Sequence, residues 1–232
     1  MADKGTVVVV GGTSELGKAL ALHYAGKGHP VVVTGREAGR AQKVAEEIGN
    51  GAIGVNFDLS KPRDIAKALA DVKDVQYLVL VSIARDENSI KTYDIDQAVE
   101  LVTLKLVGYP EVVHALLPQM RADGCVLMYG GMAKERPYPG SATVTTINGG
   151  VSTLVRAMSV ELSPLRVNAI HPGVVGETPY WADKPAGVLE ALSARTLTKK
   201  LVTIKDVTDA AIFLLENQGV NGVNLDVDGG WW

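Results

Sequence analysis

Residues 6–17 read Thr6-Val7-Val8-Val9-Val10-Gly11-Gly12-Thr13-Ser14-Glu15-Leu16-Gly17, and this stretch decides the fold. Four consecutive valines are apolar on both sides, the pattern of a strand covered by helices above and below. Two glycines end the run. Glycine at that point permits a tight turn with positive φ, and Gly17 is small enough to let the following helix approach the strand closely. The first amides of a helix have no partner within it and share the positive end of its dipole. Gly11, Thr13, Ser14, Glu15, Leu16 and Gly17 therefore form a candidate cradle for the diphosphate of a dinucleotide. The competing reading of the same residues is an ordinary tight turn between strand and helix.

Outward from this stretch, strand-like and helix-like patterns alternate along the whole chain. Apolar runs rich in β-branched residues predict strands over Thr6–Val10, Val31–Thr34, Ala52–Phe57, Tyr77–Val81, Cys125–Tyr129, Arg166–Ile170 and Val223–Val227. Apolar residues at three- and four-residue spacing predict helices over Leu16–Ala25, Ala38–Ile48, Ile65–Val72 and Asp206–Glu216. Such alternation implies an α/β fold: a single-domain Rossmann fold over residues 1–232, with a doubly wound parallel sheet of about seven strands and helices on both faces. Residues 173–198, rich in Gly, Pro, Ala and Trp, break the alternation and read as a mobile cap over a site.

Composition narrows the function. Of 232 residues 47% are hydrophobic and 21% charged, enough for a sizeable core and inconsistent with disorder. The net charge is −3, and no basic stripe suggests a nucleic-acid partner. Apolar runs such as Tyr77 to Ala84 have strand length, far below a membrane span, and the N-terminus lacks the apolar stretch of a signal peptide. Cys125 is the single cysteine, which excludes an intrachain disulfide and fits a reducing, cytoplasmic setting. It reads as a buried strand thiol. No metal site is expected.

The second strand ends Val33-Thr34-Gly35-Arg36. A carboxylate near this point binds the ribose 2′-hydroxyl of NAD, whereas a guanidinium suits a 2′-phosphate. Arg36 thus favours NADP(H) over NAD(H). Asp58, after the third strand, is placed to accept a hydrogen bond from an adenine amino group.

Taken together, these elements resemble the short-chain dehydrogenase/reductase family over essentially the whole chain. Gly11 to Gly17 resembles that family's glycine-rich turn, with Glu15 in place of its middle glycine. Phe57-Asp58-Leu59 resembles the adenine-pocket element, and Arg166 to Gly173 the segment that ends in Pro172-Gly173 beside the nicotinamide. Val175 and Thr178 resemble the cofactor contacts that follow it. Val220-Asn221-Gly222 and Asp226 to Gly230 resemble the last strand and tail. The resemblance implies a small-molecule substrate, no membrane partner and a homo-oligomer, dimer or tetramer. Two long helices, Leu101–Met120 and Thr143–Leu162, would pair between subunits, and the apolar end at Trp231 and Trp232 would be buried against a neighbour or over the site.

The resemblance fails at the catalytic positions. The family's serine falls on Gly131, its tyrosine on Val144, its lysine on Asn148 and its upstream asparagine on Lys105. The asparagine-rich turn after the fourth strand is replaced by Leu80-Val81-Ser82-Ile83-Ala84-Arg85. Lysine and asparagine have exchanged helices, so an ammonium at Lys105 would reach the pocket from the opposite side; the alternative is that Lys105 extends to solvent. Tyr129, two residues before Gly131, would share its face by strand alternation and replace the missing acid; the alternative is a core tyrosine. Lys105, Tyr129 and Asn148 are therefore the candidate catalytic residues. Lys134, Glu135, Arg136 and Tyr138 would form a charged mouth for an anionic substrate, His171 a backbone-facing spacer or a proton shuttle, and Tyr180 and Trp181 a substrate-packing lid. The readings that follow are an NADP(H)-dependent oxidoreductase with non-standard proton handling, a catalytically silent NADP(H) sensor or scaffold, and a cofactor-assisted isomerase or cyclase.

Overall fold

The computed structural model describes residues 4–84, 87–185 and 187–231; Arg85 and Trp232, quoted above, lie outside them. Seven strands, β1 (Thr6–Val10), β2 (Val31–Gly35), β3 (Ile53–Asn56), β4 (Val75–Leu80), β5 (Met120–Tyr129), β6 (Arg166–Pro172) and β7 (Asn224–Val227), form one sheet in the order β3-β2-β1-β4-β5-β6-β7. Every pairing is parallel. The seven expected strands are all present, with shifted ends.

Alternate residues of the strands build two cores. Val7, Val9, Val33, Val79 and Leu127 pack with Leu20 and Tyr24 of α1 (Glu15–Gly26), Val44 of α2 (Ala38–Ile48) and Leu214 of α9 (Ile204–Glu216). Val8, Val10, Leu78, Leu80 and Met128 pack with Ile65 of α3 (Ile65–Ala68), Tyr109 and Val112 of α5 (Gly108–Leu116), and Val151 and Val155 of α6 (Ala142–Glu161). The central strands need no polar face, which is why they read as unbroken Val and Leu.

The helices depart from expectation in two places. The helix expected over Ile65–Val72 is only α3, Ile65–Ala68, preceded by a 3₁₀ turn at Pro62–Asp64; the rest closes in turn hydrogen bonds, Val72 N to Leu69 O among them. The helix expected over Leu101–Met120 starts earlier, as α4 (Ile95–Val102), because the Asp94 carboxylate accepts from the Asp96 and Gln97 amides and caps it. It then passes through a π turn at Thr103–Val107 into α5, and the chain enters β5 at Met120. The segment over 173–198 holds two short helices, α7 (Pro179–Ala182) and α8 (Val188–Ala194). Its end is tied to the tail: Leu197 N donates to Gly230 O (3.0 Å) and Thr198 N to Gly229 O (3.1 Å).

Candidate active site

The sheet order reverses between β1 and β4, whose C-terminal ends remain paired at Val10 and Leu80 while their connections leave in opposite directions, and that is where an α/β sheet opens a crevice. A cleft of about 210 Å³ lies there, lined by Gly11, Thr13, Ser14 and Glu15 from the first turn, Arg36 and Arg40 from the second, Asp58 and Leu59 from the third, and Ser82 beyond β4. Gly11 has φ +87°, and a Cβ there would lie 2.5 Å from Ser82 Oγ; at Gly17 a Cβ would lie 2.7 Å from Gly11 O. Only glycine fits either position.

Ser14 caps α1. Its hydroxyl accepts from Gly17 N (3.3 Å) and donates to Gly11 O (2.8 Å). Leu16 packs inward on the α1 core. The Glu15 and Leu16 amides have no acceptor among the described residues, so α1 begins beside the cleft with two unsatisfied donors and the positive end of its dipole. Asp58 accepts from Ser60 N and Oγ through one oxygen, Oδ1, which leaves its other oxygen to face the cleft. Arg36 is exposed at the rim. Arg40 joins it there and donates to Thr13 O (3.1 Å). Sequence reading missed Arg40, although its four-residue spacing from Arg36 at the start of a helix was a signal for a second guanidinium on one side. The residues fit a dinucleotide: a glycine turn that admits no Cβ, unsatisfied amides, two guanidiniums and a half-used carboxylate.

Pro172, Gly173, Val175 and Thr178 lie at the same edge of the sheet but outside this cleft. β6 stands three strands from β1, about 14 Å at the usual spacing. Gly173 N donates to Val227 O (2.9 Å), Val175 is buried and bridges to Val202, and the Thr178 hydroxyl donates to Val175 O (2.9 Å).

Between these two ends sit the candidate catalytic residues. Lys105 rides on the π turn and is 1% exposed. It does not extend to solvent. Its Nζ donates to Tyr129 O (2.7 Å) and lies 5.7 Å from the centre of the Tyr109 ring. No carboxylate pairs with it among the described residues, and burial pulls its pKa down to about 7. Asn148 on α6 is also buried, its Oδ1 has no partner, and its amide nitrogen fills the space that a Cβ at Gly131 would reach (3.0 Å). Tyr129 and Gly131 do not share a face. β5 ends at Tyr129, alternation ends with it, and the ring packs in the α1/α9 layer while Gly131 turns toward Asn148. Burial also raises the Tyr129 pKa well above that of a free phenol, which weakens it as an acid.

The surrounding polar groups are engaged in structure. His171 is fully buried; Gly131 N donates to its Nδ1 (3.2 Å), which leaves Nε2–H to bond Asn224 Oδ1 (2.9 Å), with Ser152 Oγ nearby (3.3 Å). Burial lowers its pKa to about 4, so it is a neutral spacer at neutral pH. The charged mouth expected at 134–136 is paired off: Lys134 bridges Asp226 (3.1 Å) and Glu135 (3.3 Å), and Arg136 Nε donates to Trp231 O (3.3 Å). These partners come from β7 and the tail, which local sequence does not reveal. Tyr180 and Trp181 meet edge to face, 5.0 Å apart, in α7. Cys125 is a buried thiol, as expected. Among the described residues no group of His, Cys, Asp and Glu could hold a metal, and no helix is long and apolar enough to cross a membrane.

Known proteins are similar to this chain in sequence and fold. The family model described as Enoyl-(Acyl carrier protein) reductase matches residues 11–232. The short-chain dehydrogenase/reductase ATR9 of Stachybotrys chlorohalonatus is 25% identical over 97% of this chain and 96% of its own. The protein named inactive 2-(S)-hydroxypropyl-CoM dehydrogenase 2 of Xanthobacter autotrophicus is 29% identical over 88% and 95%. The crystal structure of 3-ketoacyl-(acyl-carrier-protein) reductase from Brucella melitensis complexed with NADH superposes with a TM-score of 0.86 at 26% identity, covering 99% of both chains. With the glycine turn at the sheet reversal and a match from Gly11 to the last residue, the chain belongs to the short-chain dehydrogenase/reductase family of oxidoreductases.

Proposed function

We propose that the protein is an NADP(H)-dependent oxidoreductase that acts on a small molecule beneath the 173–198 segment and moves its proton by a route other than a tyrosine hydroxyl. The observation that carries the cofactor half is the pair Arg36 and Arg40 at the rim of a cleft whose glycine turn admits no side chain. The two guanidiniums would hold the 2′-phosphate, Asp58 the adenine amino group, and the amides of Glu15 and Leu16 the diphosphate. Pro172, Gly173, Val175 and Thr178 would flank the nicotinamide, which when bound supplies or accepts a hydride.

The catalytic half rests on Lys105 and Asn148. An amine with a pKa of about 7 beside the end of β5 is matched to proton transfer near neutrality, and the Asn148 Oδ1, unpaired among the described residues, offers an acceptor to a substrate or to the ribose. Gly131 and Val144 contribute no hydroxyl. This suits substrates that accept hydride with little acid assistance, such as iminium ions and activated alkenes. A second reading, a silent NADP(H) sensor, is favoured by the same absence of a positioned hydroxyl and by similarity to a protein named inactive. We also propose a homo-oligomer, supported by apolar residues exposed on α4 and α6, Ile95, Val99 and Val160.

Titration calorimetry tests the cofactor. NADPH should bind more tightly than NADH, and Arg36→Ala or Arg40→Ala should each weaken NADPH by ~10–100-fold, the value of a charge-assisted hydrogen bond, with little change for NADH. A panel of carbonyls, imines and enones with NADPH then separates the two readings: turnover of any class supports the enzyme, and tight binding with no oxidation at all supports the sensor.

A further inference from the structure

The cleft is not a cationic one. Arg36 and Arg40 line it together with three carboxylates, those of Glu15, Glu37 and Asp58, whereas a phosphorylated dinucleotide is a polyanion. Asp58 is held by Ser60, and Glu37 stands beside Arg36 on the second turn. Glu15 differs from both. It is the first residue of α1, beside the amides that have no acceptor, and a carboxylate there is drawn by the same helix dipole that would draw a diphosphate. Glu15 also lines the adjoining groove between α1 and α2 with Lys18, Arg40 and Lys43. Lys18 is paired with Glu47 and Arg40 would be engaged by the 2′-phosphate, so Lys43 is the cation toward which Glu15 can turn.

We infer that Glu15 sets the cleft's specificity by opposing the diphosphate: its carboxylate competes for the start of α1, so a dinucleotide is gripped by its adenosine 2′-phosphate and only loosely at its bridge. Glu15 must swing toward Lys43 before the bridge can settle. Occupancy then follows cofactor concentration, where a tighter site would stay filled. The inference rests on the dinucleotide reading of the cleft, and the test separates the two.

Calorimetry on the full chain with NADPH and with adenosine 2′-monophosphate, which has no diphosphate, compares wild type with Glu15→Gln and Glu15→Gly. Gln removes charge and retains bulk and helix-forming tendency; Gly removes both charge and bulk. Both variants should bind NADPH at least fivefold more tightly, with adenosine 2′-monophosphate unchanged within twofold. A gain below fivefold in Glu15→Gln overturns the inference and leaves the cleft reading standing, as does an equal gain for both ligands. If neither ligand binds any of the three proteins, the dinucleotide reading falls and the inference with it.

Discussion

Lys105 carries its amine into the interior on a π turn and meets there one carbonyl, an aromatic face and no carboxylate. Burying a charge without a counter-ion costs stability, and the direction of the cost can be followed with pH. The unfolded amine takes a proton below its ordinary value of 10.5, the folded one only below about 7. Between those values the unfolded chain binds more protons, so stability rises with pH through this window. Lys105→Met should raise the melting temperature at pH 7 by several degrees, at ~2–4 °C per kcal/mol for a chain of this size, and abolish the rise toward pH 10.5. Melts from pH 6 to 10 check it; a lower Tm at pH 7 would mean that the bond to Tyr129 O outweighs the charge. The residue types at 105 and 148 were legible in the sequence as an exchange. The inward course of Lys105 was one of two readings the sequence left open, because the π turn that aims it adds one residue to a helical ladder and leaves no mark in hydrophobic spacing.

At the scale of elements, the strand ends of the sheet's reaction side are held by one imidazole. Gly131 just past β5, His171 on β6 and Asn224 on β7 form a hydrogen-bonded row, with Ser152 of α6 beside it. His171 stays neutral in the fold until about pH 4, whereas the unfolded chain's imidazole takes its proton near 6.5. The unfolded state therefore binds more protons between those values, and stability falls as pH drops from 6.5 to 4 and levels off below. His171→Gln should remove most of that slope while costing ~1–3 kcal/mol at pH 7 for the partners left unpaired, measured by urea unfolding from pH 4 to 7. Strand positions were readable from β-branched runs because burial on both faces leaves no other composition. Their rows of contacts were not, since β5, β6 and β7 are brought together by crossovers of dozens of residues. Tyr129 shows the limit: alternation holds only while the strand lasts, and β5 stops two residues short of Gly131, where the inference needed it.

For the molecule as a whole, most of the groups that line the cleft come from residues 11 to 59, on the β1, β2 and β3 side of the reversal, and the candidate catalytic groups from residues 105 to 148, on the β4, β5 and β6 side. Arg36 and Lys105 share no hydrogen bond or ion pair among the described residues: Arg36 is exposed at the rim and Lys105 is buried on Tyr129 O. Arg36→Ala and Lys105→Met should therefore add in their effects on stability within ~0.5 kcal/mol, as distant sites do, and a double-mutant cycle by urea unfolding checks this. The first set was nearly complete in the sequence because each member follows the end of a strand; the second depended on how α4, α5 and α6 lean over the sheet. The reversal between β1 and β4 thus works as a seam between a handle and a workshop. Mutation can refit the workshop, swapping tools or discarding them, while the handle keeps its shape, so loss of an old reaction and retention of the nucleotide are compatible outcomes of drift in one chain.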